Sequence, residues 1–506
     1  MQCRRREVLI GAAALCPAPA LLRGAWAAQP GMPLPVPPAV EVGSSGAALL
    51  EAIDGMHRFS ESGRTPTRGF SQPYLGPVLR LRRDATARID VRNRLADAIT
   101  VHWHGLHVPG DVDGGPHSEI APGATWRPSL EIDQPAGTAW YHSHVHGGTG
   151  PQVYSGLAGM ILVDDPAAAD SGLPQQYGTD DLPLVVQDRL FTTDGRLAYA
   201  ADGMMAMMSG VRGDQIVVNG AIRPIANVPA GIVRLRLLNA CNARILYLRF
   251  EDGRDMHQIA SDGGLLPQPV ARKSLRLATG ERAEVLVDFG AAGEARLLSA
   301  QDDNQPMPMM GGARGGNMGA IGVQPPAVAP DGAFEVMRLR TVAGHRTATY
   351  KLPARLAGAA RPPEPSEPLR RRRFVLDTMG GMMGGMGGGI RRGGMGMMSM
   401  TINGRAFDMA RTDFSTRRGE TELWEVRAGD MAHPFHVHGT SFQVLSLNGQ
   451  PVSFAATGWK DTLLVERKAE LLLRFDRAAD ERTPYMFHCH ILEHEDAGMM
   501  GQFTVA

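Results

Sequence analysis

The sequence predicts an all-β protein built from three β-sandwich domains. Three observations lead to this prediction: short runs in which apolar and polar residues alternate, little helical periodicity, and many turn-forming residues, with 61 Gly and 36 Pro among 506 residues. Alternation with a period of two is typical of strands that are buried on one face. Two layers of such strands pack face to face as a sandwich, with Gly and Pro in the turns.

The number of domains follows from length and from proline-rich segments. After an N-terminal signal about 479 residues remain, which is enough for three domains of ordinary size. We predict domains at residues 42–166, 182–325 and 365–506, because proline-rich segments separate these ranges.

Each predicted domain opens with an alternating strand. The three runs are ARIDVRNRL from Ala87, VRLRLLNA from Val233 and ELWEVRAG from Glu422. We expect each strand to be half-buried, with its polar residues facing solvent.

Residues 1–27 are typical of an export signal. Three arginines at positions 4–6 precede an apolar stretch at 8–22, and A-W-A at 25–27 is a small-x-small cleavage site. The arginines and the E-V-L that follows favour the twin-arginine export machinery, with an ordinary secretory signal as the alternative. The apolar stretch is too short to span a bilayer, so we expect no stable membrane anchor.

The charge and the cysteine content of the chain restrict the partners and the crosslinks that we expect. The chain has 52 Lys plus Arg and 52 Asp plus Glu, a balance that does not suggest a nucleic-acid partner. Of its four cysteines, only Cys241 and Cys489 lie outside the signal. We expect no disulfide, and we interpret Cys241 as a small buried hydrophobic residue.

Four histidine clusters are the strongest functional signal. They are HWHG at 102–105, WYHSH at 140–144, HPFHVHG at 433–439 and HCHILEHEDAGMM at 488–500, and they hold ten of the 16 histidines. In an extended strand H-x-H places both imidazoles on one face, so His488 and His490 point one way and Cys489 the other. One tripeptide can therefore serve two metal centres.

The last cluster favours copper over zinc. Cys489, His494 and Met499 are spaced five residues apart and converge if the strand enters a tight turn or short helix. A thiolate, imidazoles and a weak thioether form the blue-copper ligand set, whereas structural zinc prefers a closed Cys/His tetrahedron without Met. The cluster itself lacks the second imidazole of that set.

In this order the four clusters resemble the copper-binding motifs of the multicopper oxidases. The runs HWHGLHVPGDVDGGPH, HPFHVHGTSFQV, ASDGGLLPQPV and HCHILEHEDAGMM resemble the bacterial periplasmic cuprous oxidases of the CueO kind. The resemblance implies three cupredoxin-like Greek-key domains, four copper ions, a periplasmic monomer and a middle domain that acts as a spacer. It implies one-electron oxidation of Cu(I), and also of phenolic compounds, coupled to four-electron reduction of dioxygen to water for copper tolerance.

Residue by residue, the resemblance assigns a complete ligand set. The type 1 copper would be held by His433, Cys489, His494 and Met499, the type 2 copper by His102 and His436, and the type 3 pair by His104, His142, His490 and by His144, His438, His488. Some relatives keep the fold, lose these ligands and act as scaffolds in cell division. Asp113 and Glu495 match acidic residues that relay protons in the family, and the alternative for both is a loop carboxylate in turn or cap hydrogen bonds.

The substrate is predicted from methionines. Eight of the 27 Met fall within residues 379–400, a glycine-rich insert in which a regular helix would cost much conformational entropy. Exposed thioethers in such a segment are suited to bind the soft ion Cu(I). The resembling enzymes carry a Met-rich insert in the same place, so we name Met379, Met383, Asp430 and Met431 as candidate ligands of substrate copper. Two alternatives stay open: a laccase-like phenol or amine oxidase, and a copper-sequestering protein.

Overall fold

Most of the chain forms β-strands in the computed structural model, which describes residues 31–43, 47–61, 63–169, 171–201, 203–290, 293–302, 304, 332–346, 350–357, 369–378 and 400–506. The prediction of an all-β fold is confirmed. Within these residues the strands form six sheets, which pair around three hydrophobic cores, and no helix is long and apolar enough to cross a membrane. The export signal at 1–27 and nearly all of the insert at 379–400 lie outside the described residues.

The first sandwich is built from strands between residues 39 and 164. They are Ala39–Glu41 (β1), Ala48–His57 (β2), Thr65–Phe70 (β3), Val78–Arg82 (β4), Ala85–Asn93 (β5), Thr125–Trp126 (β6), Ser129–Ile132 (β7), Gly137–His142 (β8) and Ala158–Asp164 (β9). One sheet has the order β1-β4-β9-β8 and the other β3-β2-β5-β6, with β7 beside β5. Helices Gly110–Asp113 (α1) and Thr149–Ser155 (α2) lie in the connections. Leu50, Leu79 and Ile161 lie in the core between the sheets.

The second sandwich follows helix Pro166–Ala169 (α3) and includes helix Met204–Ser209 (α4). Its strands are Asp181–Arg189 (β10), Gln215–Val218 (β11), Ala221–Ile222 (β12), Ile225–Ala230 (β13), Ile232–Asn239 (β14), Leu246–Phe250 (β15), Met256–Ser261 (β16), Gly264–Arg272 (β17), Leu275–Leu277 (β18), Arg282–Asp288 (β19), Glu294–Ser299 (β20) and Phe334–Arg346 (β21). The sheet orders are β12-β11-β10-β14-β19-β16-β17 and β13-β21-β20-β15-β18. Strand β21 begins after residue 325, the predicted end of the second domain, so this sandwich extends past that boundary. The predicted division into three domains otherwise stays a prediction.

The third sandwich contains the last two histidine motifs. Its strands are Arg370–Asp377 (β22), Thr401–Ile402 (β23), Phe414–Thr416 (β24), Thr421–Ala428 (β25), His433–Val437 (β26), Phe442–Leu447 (β27), Gln450–Pro451 (β28), Trp459–Lys460 (β29), Thr462–Val465 (β30), Lys468–Arg474 (β31), Tyr485–Cys489 (β32) and Met500–Val505 (β33). The sheet orders are β23-β22-β25-β31-β27-β28, with β29 beside β27, and β24-β33-β32-β26-β30. Helices Phe454–Thr457 (α5) and Leu492–Asp496 (α6) complete it.

Strand β14 corrects one expectation. Its alternating residues predict an exposed polar face, but Arg234 and Arg236 are buried. Both arginines form ion pairs with Glu284, and Arg236 also pairs with Asp181. Burial alone raises the pKa of Glu284, but the arginines outweigh that effect and lower it to about 2. Because Thr138 of the first sandwich donates to Glu284, the polar face packs against protein instead of solvent.

Two antiparallel pairings place the histidine motifs side by side. In the third sandwich β26 pairs with β32, so that His436 lies opposite His488 and Phe435 opposite Cys489. In the first sandwich a bridge places His102 opposite His142. The first and the third sandwich therefore each place two histidine motifs side by side in an antiparallel pairing.

Candidate metal centre

Eight histidines of the first and third sandwiches meet in one buried group, the imidazole cluster. Its members, each at most 1% exposed, are His102, His104, His142, His144, His436, His438, His488 and His490. Three sets within this cluster each place their candidate ligand atoms within 4.8 Å of one another. They are His102 with His436 and His438, His104 with His142 and His490, and His144 with His438 and His488. The last two sets are the two triplets that the sequence predicts.

Imidazole nitrogens face one another across the two sandwiches. The Nε2 atoms of His102 and His436 are 3.4 Å apart, and those of His144 and His488 are 3.3 Å apart. Within the third sandwich, the Nε2 atoms of His438 and His488 are also 3.3 Å apart. Since lone pairs of neutral imidazoles repel, nitrogens held this close call for an electrophile between them.

The outward-facing nitrogens are held by protein oxygens. His436 Nδ1 donates to the Asp461 carbonyl at 2.9 Å, and His142 Nδ1 donates to the Ser143 carbonyl at 2.8 Å. A bond at Nδ1 fixes the tautomer and leaves Nε2 with a free lone pair. The cluster is thus arranged as a set of neutral, inward-pointing donors.

The two predicted proton-relay residues both contact the cluster. Asp113 Oδ2 accepts a hydrogen bond from His438 Nδ1 at 2.7 Å. The two carboxylate oxygens of Glu495 lie 3.2 Å from His144 Nδ1 and 3.2 Å from His488 Nδ1. Both carboxyl groups are buried. Their positions meet the first requirement of a proton relay, contact with the ligand shell, and the relay role stays a prediction.

Burial favours the uncharged form of three imidazoles of the cluster. For His104, His142 and His490, loss of hydration lowers the pKa well below the ordinary value, and neighbouring imidazoles lower it further. The neutral form is the one that binds metals, because protonation removes the lone pair.

A second group of predicted ligands surrounds Cys489 on the other face of β32. We call Cys489, His433, His494 and Met499 together the thiolate group. Cys489 Sγ is 3.4 Å from His433 Nδ1 and 3.6 Å from His494 Nδ1. Met499 is fully buried in the same core, and its backbone N–H donates to the His494 carbonyl at 2.8 Å. Burial raises the pKa of the Cys489 thiol, so a thiolate in this place requires a bound cation.

Comparison with known proteins assigns the chain to a family. Models of the family described as multicopper oxidase match residues 55–168 and 388–506. The chain is 39% identical to the laccase-like multi-copper oxidase CueO of the lignin-degrading bacterium Ochrobactrum sp., with a TM-score of 0.81 and coverage of 94% of this chain and 100% of that one. The chain belongs to the multicopper oxidase family.

Other relatives of this multicopper oxidase carry different names. A laccase from Pediococcus acidilactici is 31% identical, with a TM-score of 0.78 and coverage of 94% of each chain. Cell division protein FtsP of Salmonella typhimurium is 35% identical over 508 residues, or 99% of this chain and 98% of the relative. The shared structure confirms the predicted cupredoxin-like fold. Some of these relatives are named for oxidation and others for cell division.

The donors of this multicopper oxidase fit copper. His104 Nδ1, His142 Nε2 and both nitrogens of His490 are buried and have no hydrogen-bond partner among the described residues. Unpartnered buried polar atoms are costly unless a ligand satisfies them. Imidazoles together with a thiolate and a thioether are the donors that copper prefers. The count of four copper ions and their division into three types stay predictions.

The remaining predicted residues have mixed outcomes. Asp430 contacts His433, at 3.4 Å between Oδ1 and Nε2. Met431 is buried in the core of the third sandwich. Met379 and Met383 lie outside the described residues.

Helix α6 carries contacts that the sequence analysis missed. Thr149 Oγ1, at the start of α2, donates to Glu495 at 2.6 Å, and Asp496 accepts the backbone N–H groups of Thr149 and Gly150 at 2.9 and 2.8 Å. The carboxylates of α6 therefore hold the first sandwich against the third. A run such as EHED shows acidic residues but not which distant helix they bind.

For the axial position we expect Met499→Leu to keep a blue type 1 centre and to raise its reduction potential. A weak thioether donor favours Cu(II), so its removal favours Cu(I). Voltammetry of the copper-loaded protein measures the shift. Met500→Leu is the matched control, because Met500 is equally buried but lies opposite His488 in the β32–β33 pair. A potential that responds to Met500 instead would show that the axial assignment is wrong.

Proposed function

We propose that the protein is a cuprous oxidase of the CueO kind, which oxidises Cu(I) one electron at a time and uses four electrons to reduce dioxygen to water. Its role would be periplasmic copper tolerance after export by the twin-arginine route, with slow oxidation of phenols. Bound copper would supply the one-electron redox and dioxygen chemistry. The observation that carries the proposal is a carboxylate, Asp430, against the outer edge of the predicted ligand His433.

Asp430 is suited to hold a cation beside the thiolate group. Burial alone raises its pKa, but hydrogen bonds from His433 and from the backbone N–H groups of Met431 and Thr378 outweigh burial and lower it. The group is therefore an anion, and its side chain is 21% exposed. A cation bound to Asp430 would be separated from Cys489 by a single imidazole.

Both ends of the methionine-rich insert lie beside the thiolate group. Thr378, the residue before it, donates its backbone N–H to Asp430. Met400, its last residue, donates its backbone N–H to the Ala497 carbonyl at 3.2 Å and is buried in the core that holds Cys489. The intervening chain has seven methionines, whose soft thioethers prefer Cu(I) among the available ions.

The surroundings of His494 favour a small ion over a phenol. Its Nε2 is 3.1 Å from the Met208 carbonyl of helix α4. The chain packs tightly directly after helix α4, since a Cβ on Gly210 would lie 2.3 Å from Ala243 Cβ and 2.7 Å from Ile491 Cγ2. A phenol could reach this nitrogen only by displacing the helix. This geometry favours the cuprous role, although two relatives are named laccase or laccase-like.

The relatives named FtsP support a second candidate, a role in cell division, because the similarity covers nearly the whole chain. A scaffold needs a surface and a stable fold, but no convergence of imidazoles. The imidazole cluster and the group of His433, Cys489 and His494 are both buried, with their candidate ligand atoms close together, at a cost in desolvation that a scaffold does not require. Copper sequestration alone would also not require Cys489 to stand in the sequence directly between two ligands of the cluster, His488 and His490. We therefore rank both below oxidase activity.

The decisive test removes the soft donors and keeps the chain length. We expect replacement of the seven methionines in residues 379–398 by leucine to lower Cu(I) oxidation about tenfold or more, while dimethoxyphenol oxidation stays within about twofold, because only the soft ion needs thioethers. Oxygen uptake by the copper-loaded protein measures both rates, each with and without added Cu(II).

A second variant, with residues 379–398 replaced by a short Gly-Ser linker, separates binding from access. Phenol oxidation should rise in this variant if the segment restricts access to the thiolate group. Equal loss with both substrates would indicate damage to the third sandwich. Unchanged Cu(I) oxidation in the leucine variant would refute the cuprous role and favour the laccase alternative.

A further inference from the structure

We propose that the second sandwich, which supplies no predicted copper ligand, sets the geometry of the imidazole cluster through Arg282, which holds Asp461 against His104. Arg282 and Asp461 are thus positioning residues. This inference rests on the proposed copper site but not on the identity of the substrate. It assigns the middle domain a role beyond that of the spacer expected from the sequence.

Asp461 connects two members of the imidazole cluster. Its Oδ1 is 3.1 Å from His104 Nε2, and its carbonyl accepts from His436 Nδ1 at 2.9 Å. Thr462 Oγ1 donates to the same Oδ1 at 2.8 Å and fixes the carboxylate plane. Because His104 Nε2–H points to Asp461, its ligand atom must be Nδ1, which is the nitrogen without a partner.

Arg282 holds that carboxylate from the first residue of β19. Its Nη1 donates to Asp461 Oδ1 at 2.7 Å and its Nη2 to Oδ2 at 2.5 Å, a bidentate pair. Its other N–H groups donate to the carbonyls of Thr138, Gly280 and Asp262. The guanidinium is completely buried and belongs to one rigid arrangement that joins all three sandwiches.

Glycine at the end of HWHG leaves room for this pair. Gly105 has a left-handed backbone, with φ of 90°, and a Cβ there would lie 2.4 Å from Arg282 Nη2 and 2.9 Å from Asp461 Oδ2. Glycine is therefore favoured at this position by its backbone conformation and also by the close contacts with the second and third sandwiches. No isolated first sandwich would impose that close approach.

The turn before Arg282 touches a second cluster ligand. Thr279 Oγ1 donates to the His490 carbonyl at 2.6 Å. A Cβ on Gly280 would lie 3.0 Å from Cδ2 and Nε2 of the His490 ring. The second sandwich therefore contacts His490 directly and His104 through Asp461, and these two histidines belong to the same predicted triplet.

Buried charge explains why arginine is needed. Three carboxylates, Asp262, Glu281 and Asp461, face two cations, Arg282 and Lys460. Lys460 is already bound to Asp262 at 2.9 Å and to Glu281 at 2.8 Å. Without Arg282, Asp461 would keep a buried charge without a counterion and would move, so that His104 would lose its fixed acceptor.

The test measures copper retention in the full-length, copper-loaded protein. We expect Arg282→Gln to keep the blue type 1 absorption but to weaken retention of cluster copper about 10- to 100-fold, as loss of an outer partner of a ligand typically does. Copper per chain after dialysis against a graded chelator measures retention, and the type 2 electron paramagnetic resonance signal reports the cluster. Asp461→Asn should act in the same direction.

Arg236→Gln is the matched control. Arg236 is a buried arginine of the same sheet with its own bidentate carboxylate, Asp181, and no hydrogen bond among the described residues joins that carboxylate to a histidine of the cluster. Full cluster copper in Arg282→Gln, or an equal loss in Arg236→Gln, would overturn the proposal. The type 1 absorption of each sample shows that the third sandwich is folded. Failure to oxidise Cu(I) with normal copper retention would instead count against the proposed function alone, whereas an unmodified chain without cluster copper would overturn both.

Discussion

Cys489→Ser should remove the blue colour and lower oxidase activity by more than about 100-fold, beyond the effect typical of an outer partner of a ligand. Cys489 Sγ lies 3.4 Å from His433 Nδ1 and 3.6 Å from His494 Nδ1, and a hydroxyl oxygen does not replace a soft thiolate. The imidazole cluster contains no atom of this side chain, so it should still load copper. Absorption spectra and copper per chain test both expectations.

Cys241→Ser is the control for Cys489→Ser. Cys241 is the other cysteine among the described residues and is equally buried, but its Sγ contacts the Val186 carbonyl, at 3.8 Å, and the Asp188 side chain instead of a histidine. This variant should stay blue and active. A Cys489→Ser protein that stayed blue would refute the assignment of the thiolate group.

Asp113→Asn should lower the rate of dioxygen reduction about 10- to 100-fold. The carboxylate accepts from His438 Nδ1 at 2.7 Å, and an amide of the same shape cannot carry a proton to or from that site. Because the substitution is isosteric, Cys489 and its neighbours should be unaffected. Stopped-flow oxidation of the fully reduced protein separates this step from electron entry, which should keep its normal rate.

Asp111→Asn provides a comparison within the same helical turn. Asp111 lies two residues before Asp113 in α1, but it is exposed. Its substitution should leave both half-reactions within about twofold of normal, as is usual for surface changes. If Asp111→Asn and Asp113→Asn slowed the protein equally, the effect would come from the net charge of the loop and not from a relay.

Local strand geometry explains why the ligand groups could be predicted. Alternation along a strand requires only consecutive residues, so His488, Cys489 and His490 could be assigned to opposite faces from the sequence. The structure places Cys489 between His433 and His494, and His488 beside His144. The larger groupings came from resemblance, because no spacing shows which first-sandwich histidine meets which third-sandwich one.

The residues that were not predicted act across long distances in the chain. Arg282 and Asp461 are 179 residues apart, and neither lies in a histidine motif. The polar face of β14 was misjudged for the same reason: Arg234 and Arg236 look like solvent-facing residues until the first sandwich is packed against them. Periodicity describes how a strand lies in its own sheet, but not what covers that sheet.

The distribution of ligands along the chain has a consequence for biosynthesis. His102, His104, His142 and His144 leave the ribosome early, whereas His488, Cys489, His490, His494 and Met499 come after more than 340 further residues. Domains fold in the order in which they are translated, but the imidazole cluster cannot close until residue 490 has been translated, and the thiolate group cannot close until residue 499 has been translated. A chain released early would carry half-sites without a thiolate, so copper content should distinguish complete translation products from truncated ones.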